Sequence, residues 1–143
     1  MGMGVVPVEL LPHLRRARDL ADRQFAEPLD LDALASAAGV SKYHFLRCFA
    51  AEYGETPMQY VGRRRIERAA DLLRATNLTV TEVCHLVGFS SLGSFSTRFT
   101  ELIGMSPSAY QQTQTGPRIP GCYVFMLGLT SAIPEKPDAA GKA

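Results

Sequence analysis

Arg47 is the side chain in this sequence best suited to reading the edge of another molecule. Its guanidinium is a planar fork of donors that matches the two acceptors, O6 and N7, on the major-groove side of guanine. It stands in KYHFLRCFAAEY, which begins at Lys42. Helical phase puts Phe45, Cys48 and Phe49 on one face of that stretch and Lys42, Tyr43, Leu46, Arg47 and Ala50 on the other. Tyr43 can stack on a sugar or reach a phosphate. Leu46 suits contact with a thymine methyl, the plainer alternative being an ordinary exposed leucine. Ser41 and Lys42, at the start of the stretch, suit phosphate.

A second stretch, GFSSLGSFSTRF from Gly88, carries weaker chemistry. Its outward positions are Ser91, Gly93, Ser94, Thr97 and Thr100, all short. Ser94 and Thr97 are the base-facing candidates, able to read a methyl or groove shape. Ser91 and Arg98 are placed for phosphate. Helix starts at Pro57 and Pro107 offer backbone N–H groups to phosphates, with Gln59 and Ser108 beside them.

The run Arg63-Arg64-Arg65 needs sorting by helical phase. Met58, Val61, Ile66, Ala69, Leu72 and Leu73 share a broad apolar face, and Arg65 falls within it. A charge there must be paired or capped, because an unpaired buried charge costs several kcal/mol. Arg65 is therefore expected to be structural, Arg63 to be a phosphate candidate and Arg64 to be solvated.

These groups need rigid elements to aim them, and the chain supplies a repeat. Phe49, Gly54, Pro57 and Tyr60 recur fifty positions later as Phe99, Gly104, Pro107 and Tyr110. Gly39 and Ser41 recur at Gly88 and Ser90, so one residue is inserted early in the second copy. In each copy a small residue (Ala35, Cys84) precedes a turn glycine (Gly39, Gly88) by four, and an apolar residue anchors the next helix. That spacing is the packing pattern of a helix-turn-helix. The first spans 31–52 and the second 80–103, with Ser41 capping the first outward helix and Ser90 or Ser91 the second. Leu92, Phe95, Phe99, Leu102 and Ile103 are expected to face inward in the second.

Between the copies lies PMQYVGRRRIERAADLLRA, residues 57–75, a single helix capped by Thr56 and Gln59. A helix precedes the first copy over residues 8–26, with Leu10, Leu11, Leu14, Ala17, Leu20, Ala21 and Phe25 on its stripe, and Asp30 caps the next. A short last helix starts at Ser106-Pro107. The expected fold is all-α, with seven helices over 8–113 and a non-helical tail over 114–143. In that tail residues 122–129, CYVFMLGL, read as one extended segment before a disordered end.

Composition excludes several functions. The net charge of +1 over 143 residues gives no global nucleic-acid signature, so any basic surface must come from placement. No secretory signal precedes the first helix, and the longest apolar run is too short to span a bilayer. Three scattered cysteines fit reduced thiols in a cytoplasm. The three histidines have no ligand spacing with them, so no metal is expected. With no cofactor loop and no acid, base or nucleophile set, nothing reads as an enzyme.

LDALASAAGVSKYHFLRCF, RRIERAADLL and VTEVCHLVGFSSLGSFSTRF with GMSPSAY together resemble the DNA-binding domain of the AraC/XylS family of bacterial transcription regulators. The resemblance covers about Leu31 to Gln112. It implies two homeodomain-like helix-turn-helix subdomains joined by a linker helix, binding of promoter DNA, and DNA contacts at positions 43, 46 and 47. Family members often have arginine where Thr97 stands; here arginine comes one place later, turned toward phosphate. The second module is therefore expected to clamp while the first reads. No room remains for the family's usual effector domain, so a stand-alone regulator is expected. A nineteen-residue rod is about 28 Å long and major-groove faces recur about every 34 Å, which suits one monomer spanning two successive groove segments. RNA polymerase is a candidate partner. The competing reading is a sensor or interaction module whose tail binds a ligand or pairs two chains. An alkyl-accepting repair protein fits poorly, since its metal-bound cysteine cluster is absent.

Overall fold

The computed structural model describes residues 6–114, 116–118 and 120. The tail segment 122–129 lies outside the described residues. After a 3-10 turn at Val8–Leu10 come seven α-helices among the described residues: α1 (Leu11–Gln24), α2 (Leu31–Ala38), α3 (Lys42–Tyr53), α4 (Pro57–Ala75), α5 (Val80–Leu86), α6 (Leu92–Ile103) and α7 (Pro107–Thr113). The chain divides into two compact units, Met1–Arg64 and Arg65–Ala143, whose boundary falls inside α4.

Local chemistry sets the helix ends. Asp30 accepts from the Ala33 N–H, Ser41 from that of His44 and Ser91 from that of Ser94. At Thr56 and Thr79 the cap is reciprocal. Each threonine hydroxyl accepts from the third residue of its helix, and Gln59 or Glu82 reaches back to the threonine N–H. Such caps are worth about 1 kcal/mol each. The turn glycines Gly39 and Gly88 have φ of +74° and +102°, where a side chain would be strained. Two equivalent hydrogen bonds close the turns: Val40 N–H to the Ala35 carbonyl at 3.3 Å, and Phe89 N–H to that of Cys84 at 3.1 Å. The helix cap in the second copy is Ser91, fifty after Ser41, so the inserted residue sits in the turn between Gly88 and the cap.

In the first unit Leu14, Ala17, Leu34, Phe45, Phe49 and Val61 are the heart of one buried cluster. Its rings run from Phe45 to Phe49 at 5.5 Å and on to Tyr60 at 5.8 Å. In the second unit Ile66, Ala69, Leu73, Cys84, Phe95 and Phe99 build the corresponding cluster. Its rings run from Phe95 to Phe99 at 5.7 Å and on to Tyr110 at 5.5 Å. Tilted and edge-on pairs of this kind add about 0.5–1.5 kcal/mol each beyond their buried area.

The repeat also reaches further back than Gly39. RARDLA at Arg16 matches RAADLL at Arg68, fifty-two positions on. Leu14, Ala17 and Ala21 are buried in one unit as Ile66, Ala69 and Leu73 are in the other. Asp22 and Arg74 are also equivalent, and each meets its unit's tyrosine. The Tyr60 hydroxyl donates to Asp22 at 2.5 Å, and Arg64 Nε donates to the same oxygen at 3.0 Å. Arg74 meets the Tyr110 hydroxyl and pairs with Asp71 at 2.9 Å; burial opposes its charge, but these two partners outweigh that and hold its pKa above the ordinary value.

Burial, together with the bond to Asp22 and the charge of that carboxylate, pushes the Tyr60 pKa up to about 12 from 10.0. The folded value lies above the unfolded one. The resulting stability is whole below pH 10.0 and is lost as pH rises through about 12. An alkaline titration should therefore show Tyr60 ionising late. Tyr60→Phe should lose less stability than the parent between those pH values; an equal loss would show that Tyr60 is not the group responsible.

Four expectations are corrected. Leu92, Leu102 and Met58, expected inward, are 44%, 40% and 38% exposed. Each lies at a helix end, where the right phase is not enough because the helix outruns the core it packs on. Arg64, expected to be solvated, is instead paired with Asp22 and lies 6.0 Å from the Phe25 ring centroid.

Candidate nucleic-acid interface

The α3 face away from the core gathers the residues that the sequence offers for base reading. Phe45, Cys48 and Phe49 are buried, which turns Lys42, Tyr43 and Arg47 outward, all exposed, with Leu46 and Ala50 half-buried. The Arg47 guanidinium lies over the Tyr43 ring, 5.7 Å from its centroid. Lys42 is 3.4 Å from Asp32, an exposed pair worth little in water and easily exchanged for a phosphate. The Ser41 oxygen is used as a cap acceptor, which leaves its O–H to donate.

On α6 the face away from the core is short and nearly uncharged. Ser91, Gly93, Ser94, Thr97 and Thr100 are all exposed. Arg98 is half-buried and 3.4 Å from Glu101. A Cβ built on Gly93 would meet only Ser91 Oγ, at 3.7 Å, so the fold does not require glycine there. Gly93→Ala is expected to raise stability by about 0.5 kcal/mol. A higher midpoint in a urea titration would show it, and a lower one would contradict the open space.

The arginines of α4 are engaged within the protein. Arg63 binds Glu55 through Nε at 3.1 Å and an amino nitrogen at 2.8 Å, so a phosphate at Arg63 would share or displace that carboxylate. Arg65 is half-buried, with its charge 5.9 Å from the Phe89 ring centroid, and burial lowers its pKa. Gln59 is exposed, with its carbonyl turned back to the cap and its NH2 left as a donor. Ser108 is exposed in the first turn of α7. The residues named from the sequence thus fall in two groups: Ser41, Lys42, Tyr43, Leu46 and Arg47 on α3 and its cap, and Ser91, Ser94 and Thr97 on α6 and its cap. Arg63, Arg65 and Arg98 face internal partners. Sequence reasoning missed the Tyr43–Arg47 stack, which the four-residue spacing could have signalled. It also missed the Arg16 guanidinium at the Ala37 carbonyl, 3.5 Å away at the end of α2.

Among the described residues no group of side chains could hold a metal ion, and no helix is long and apolar enough to cross a membrane. Cys48 and Cys84 are buried free thiols, and burial pushes the pKa of Cys84 up.

Residues 34–113, more than half of the chain, match the protein family described as a helix-turn-helix domain. The fold is that of the C-terminal domain of AraT, a response regulator from Geobacillus stearothermophilus, with a TM-score of 0.71 and 32% identity over 76% of this chain and 90% of that one. The chain belongs to the AraC family. This is a family of transcription regulators and not of enzymes. AarP, an HTH-type transcriptional activator of Providencia stuartii, is 40% identical to this AraC-family chain over 88 residues, 62% of this chain. The aligned part spans 65% of AarP, less than two thirds of its length. The DNA-binding domain of AdpA, solved in complex with a target DNA, has a TM-score of 0.67 and 30% identity, over 70% of this chain and 90% of that one. The seven helices and the two helix-turn-helix units expected from the sequence are those of the AraC-type domain.

Proposed function

We propose that this protein is a sequence-specific transcription regulator that binds promoter DNA as a monomer, with α3 as the principal base reader and α6 as a clamp. The observation that carries the reading is the pair of unlike outward faces: exposed Tyr43 and Arg47 on α3 against Ser94 and Thr97 on α6. A guanidinium fork distinguishes guanine, whereas short hydroxyls allow close approach with little discrimination. Tyr43, Leu46 and Arg47 face bases in this reading, joined weakly by Ser94 and Thr97. Ser41, Lys42, Gln59, Ser91 and Ser108 hold phosphates. Arg63 and Arg98 join them only by giving up Glu55 and Glu101. Arg65, Gly39 and Gly88 are structural. RNA polymerase is the partner such a regulator would address, in the cytoplasm.

Selection of binding sites from random duplexes, repeated at two salt concentrations, tests this. Two sequence blocks about 10 base pairs apart are expected, one rich in information and containing guanine, the other degenerate. One chain per site should sediment with the duplex. A logarithmic salt slope of about −1 to −3 would match the one lysine and two arginines named for phosphate, since the neutral donors release no counterions. A single block, two equally informative blocks, or two chains per site would each contradict the proposal.

A further inference from the structure

We infer that Tyr43 is a positioning residue whose ring holds the Arg47 guanidinium ready for its base; this rests on Arg47 being the base reader. An exposed arginine samples many rotamers, and fixing one on binding costs entropy unless the side chain is already held. Helical side chains lean toward the N-terminus, so residue 47 lies over residue 43 one turn earlier. The guanidinium carbon stands 5.7 Å from the ring centroid, within cation–π range. Arg63, Arg64, Arg74 and Arg98 all pair with carboxylates. Among the described residues Arg47 has no carboxylate partner, and the Tyr43 ring is what it rests on. A ring suits this task better than a carboxylate, because it steadies the fork without occupying the N–H groups that a base would use or placing a negative charge beside the phosphates.

The repeat supplies independent support. α3 and α6 are both twelve residues long and begin fifty positions apart. Fifty after Tyr43 stands Gly93, and fifty after Arg47 stands Thr97. Ring and fork are present together in one copy and absent together in the other. Packing did not force that absence, since a Cβ at Gly93 has room.

A double-mutant cycle on the selected operator tests the inference, using the full chain with Tyr43→Phe, Tyr43→Ala, Arg47→Ala and the double alanine variant. All four changes are at exposed positions, and thermal melts check that each variant is folded. Tyr43→Phe, which keeps the ring and removes only the hydroxyl, is expected to lose much less than Tyr43→Ala. Tyr43→Ala should weaken binding and discrimination at the selected guanine, yet do little once Arg47 is gone. The product of the single losses should exceed the double loss by about two- to fivefold. Strict additivity would overturn the inference while leaving Arg47 as reader, and so would a Tyr43→Phe loss as large as that of Tyr43→Ala, which would point to a direct hydroxyl contact. If Arg47→Ala alone binds like the parent, the reading beneath the inference falls, and the inference with it.

Discussion

Arg47→Ala is expected to lower affinity for the selected operator about 10- to 100-fold, the span of one good bidentate base contact. The same change should weaken binding to unrelated duplexes far less, because that binding is the sum of many phosphate contacts and loses only one charge. Repeating the site selection with the variant should flatten the preference at one guanine and leave other positions unchanged. Stability should stay within about 0.5 kcal/mol, since Arg47 is exposed and its removal opens no cavity. Equal losses on specific and unrelated DNA would place Arg47 on a phosphate and end its role as reader. An unchanged operator affinity would remove it from the interface.

The second large effect concerns the core that aims this residue. Phe45 is wholly buried, sits one turn into α3 and lies 5.5 Å from the Phe49 ring. Phe45→Ala should cost about 3–5 kcal/mol, the lost burial plus the cavity left behind. A small domain has only about 5–15 kcal/mol in total, so a urea titration should show the variant partly unfolded or close to it. Operator binding should fall with the folded fraction. A loss below about 1 kcal/mol would mean that the site collapses around the missing ring and that α3 is held by something other than its apolar stripe.

Much of this was legible in the sequence, for identifiable reasons. Caps such as Asp30, Ser41 and Thr79 act within three residues of themselves, so their chemistry can be read locally. Gly39 and Gly88 announce left-handed turns, and the fifty-residue repeat announces two copies of one module. The exposure of Tyr43, Arg47, Ser94 and Thr97 followed from helical phase alone. Phase failed where it carries no information about the partner. Met58, Leu92 and Leu102 lie at helix ends beyond their cores. Arg64 finds its carboxylate at Asp22, forty-two residues away, a contact that only the fold creates. The relation between α1 and the second half of α4 was hidden because its polar position reversed sign, aspartate at 22 and arginine at 74, while keeping its task of meeting a tyrosine hydroxyl. The Tyr43–Arg47 contact was missed because each residue was weighed for what it does to DNA and not for what it does to its neighbour.

Methylation interference at guanine N7 on the selected operator tests the central claim most directly, since N7 lies in the major groove and is one of the two atoms a guanidinium fork would take. The account predicts strong interference at one guanine in the informative block for the parent protein, and its disappearance with Arg47→Ala. Interference that persists in the variant, or that falls only in the degenerate block, would contradict the claim that α3 reads the DNA through Arg47.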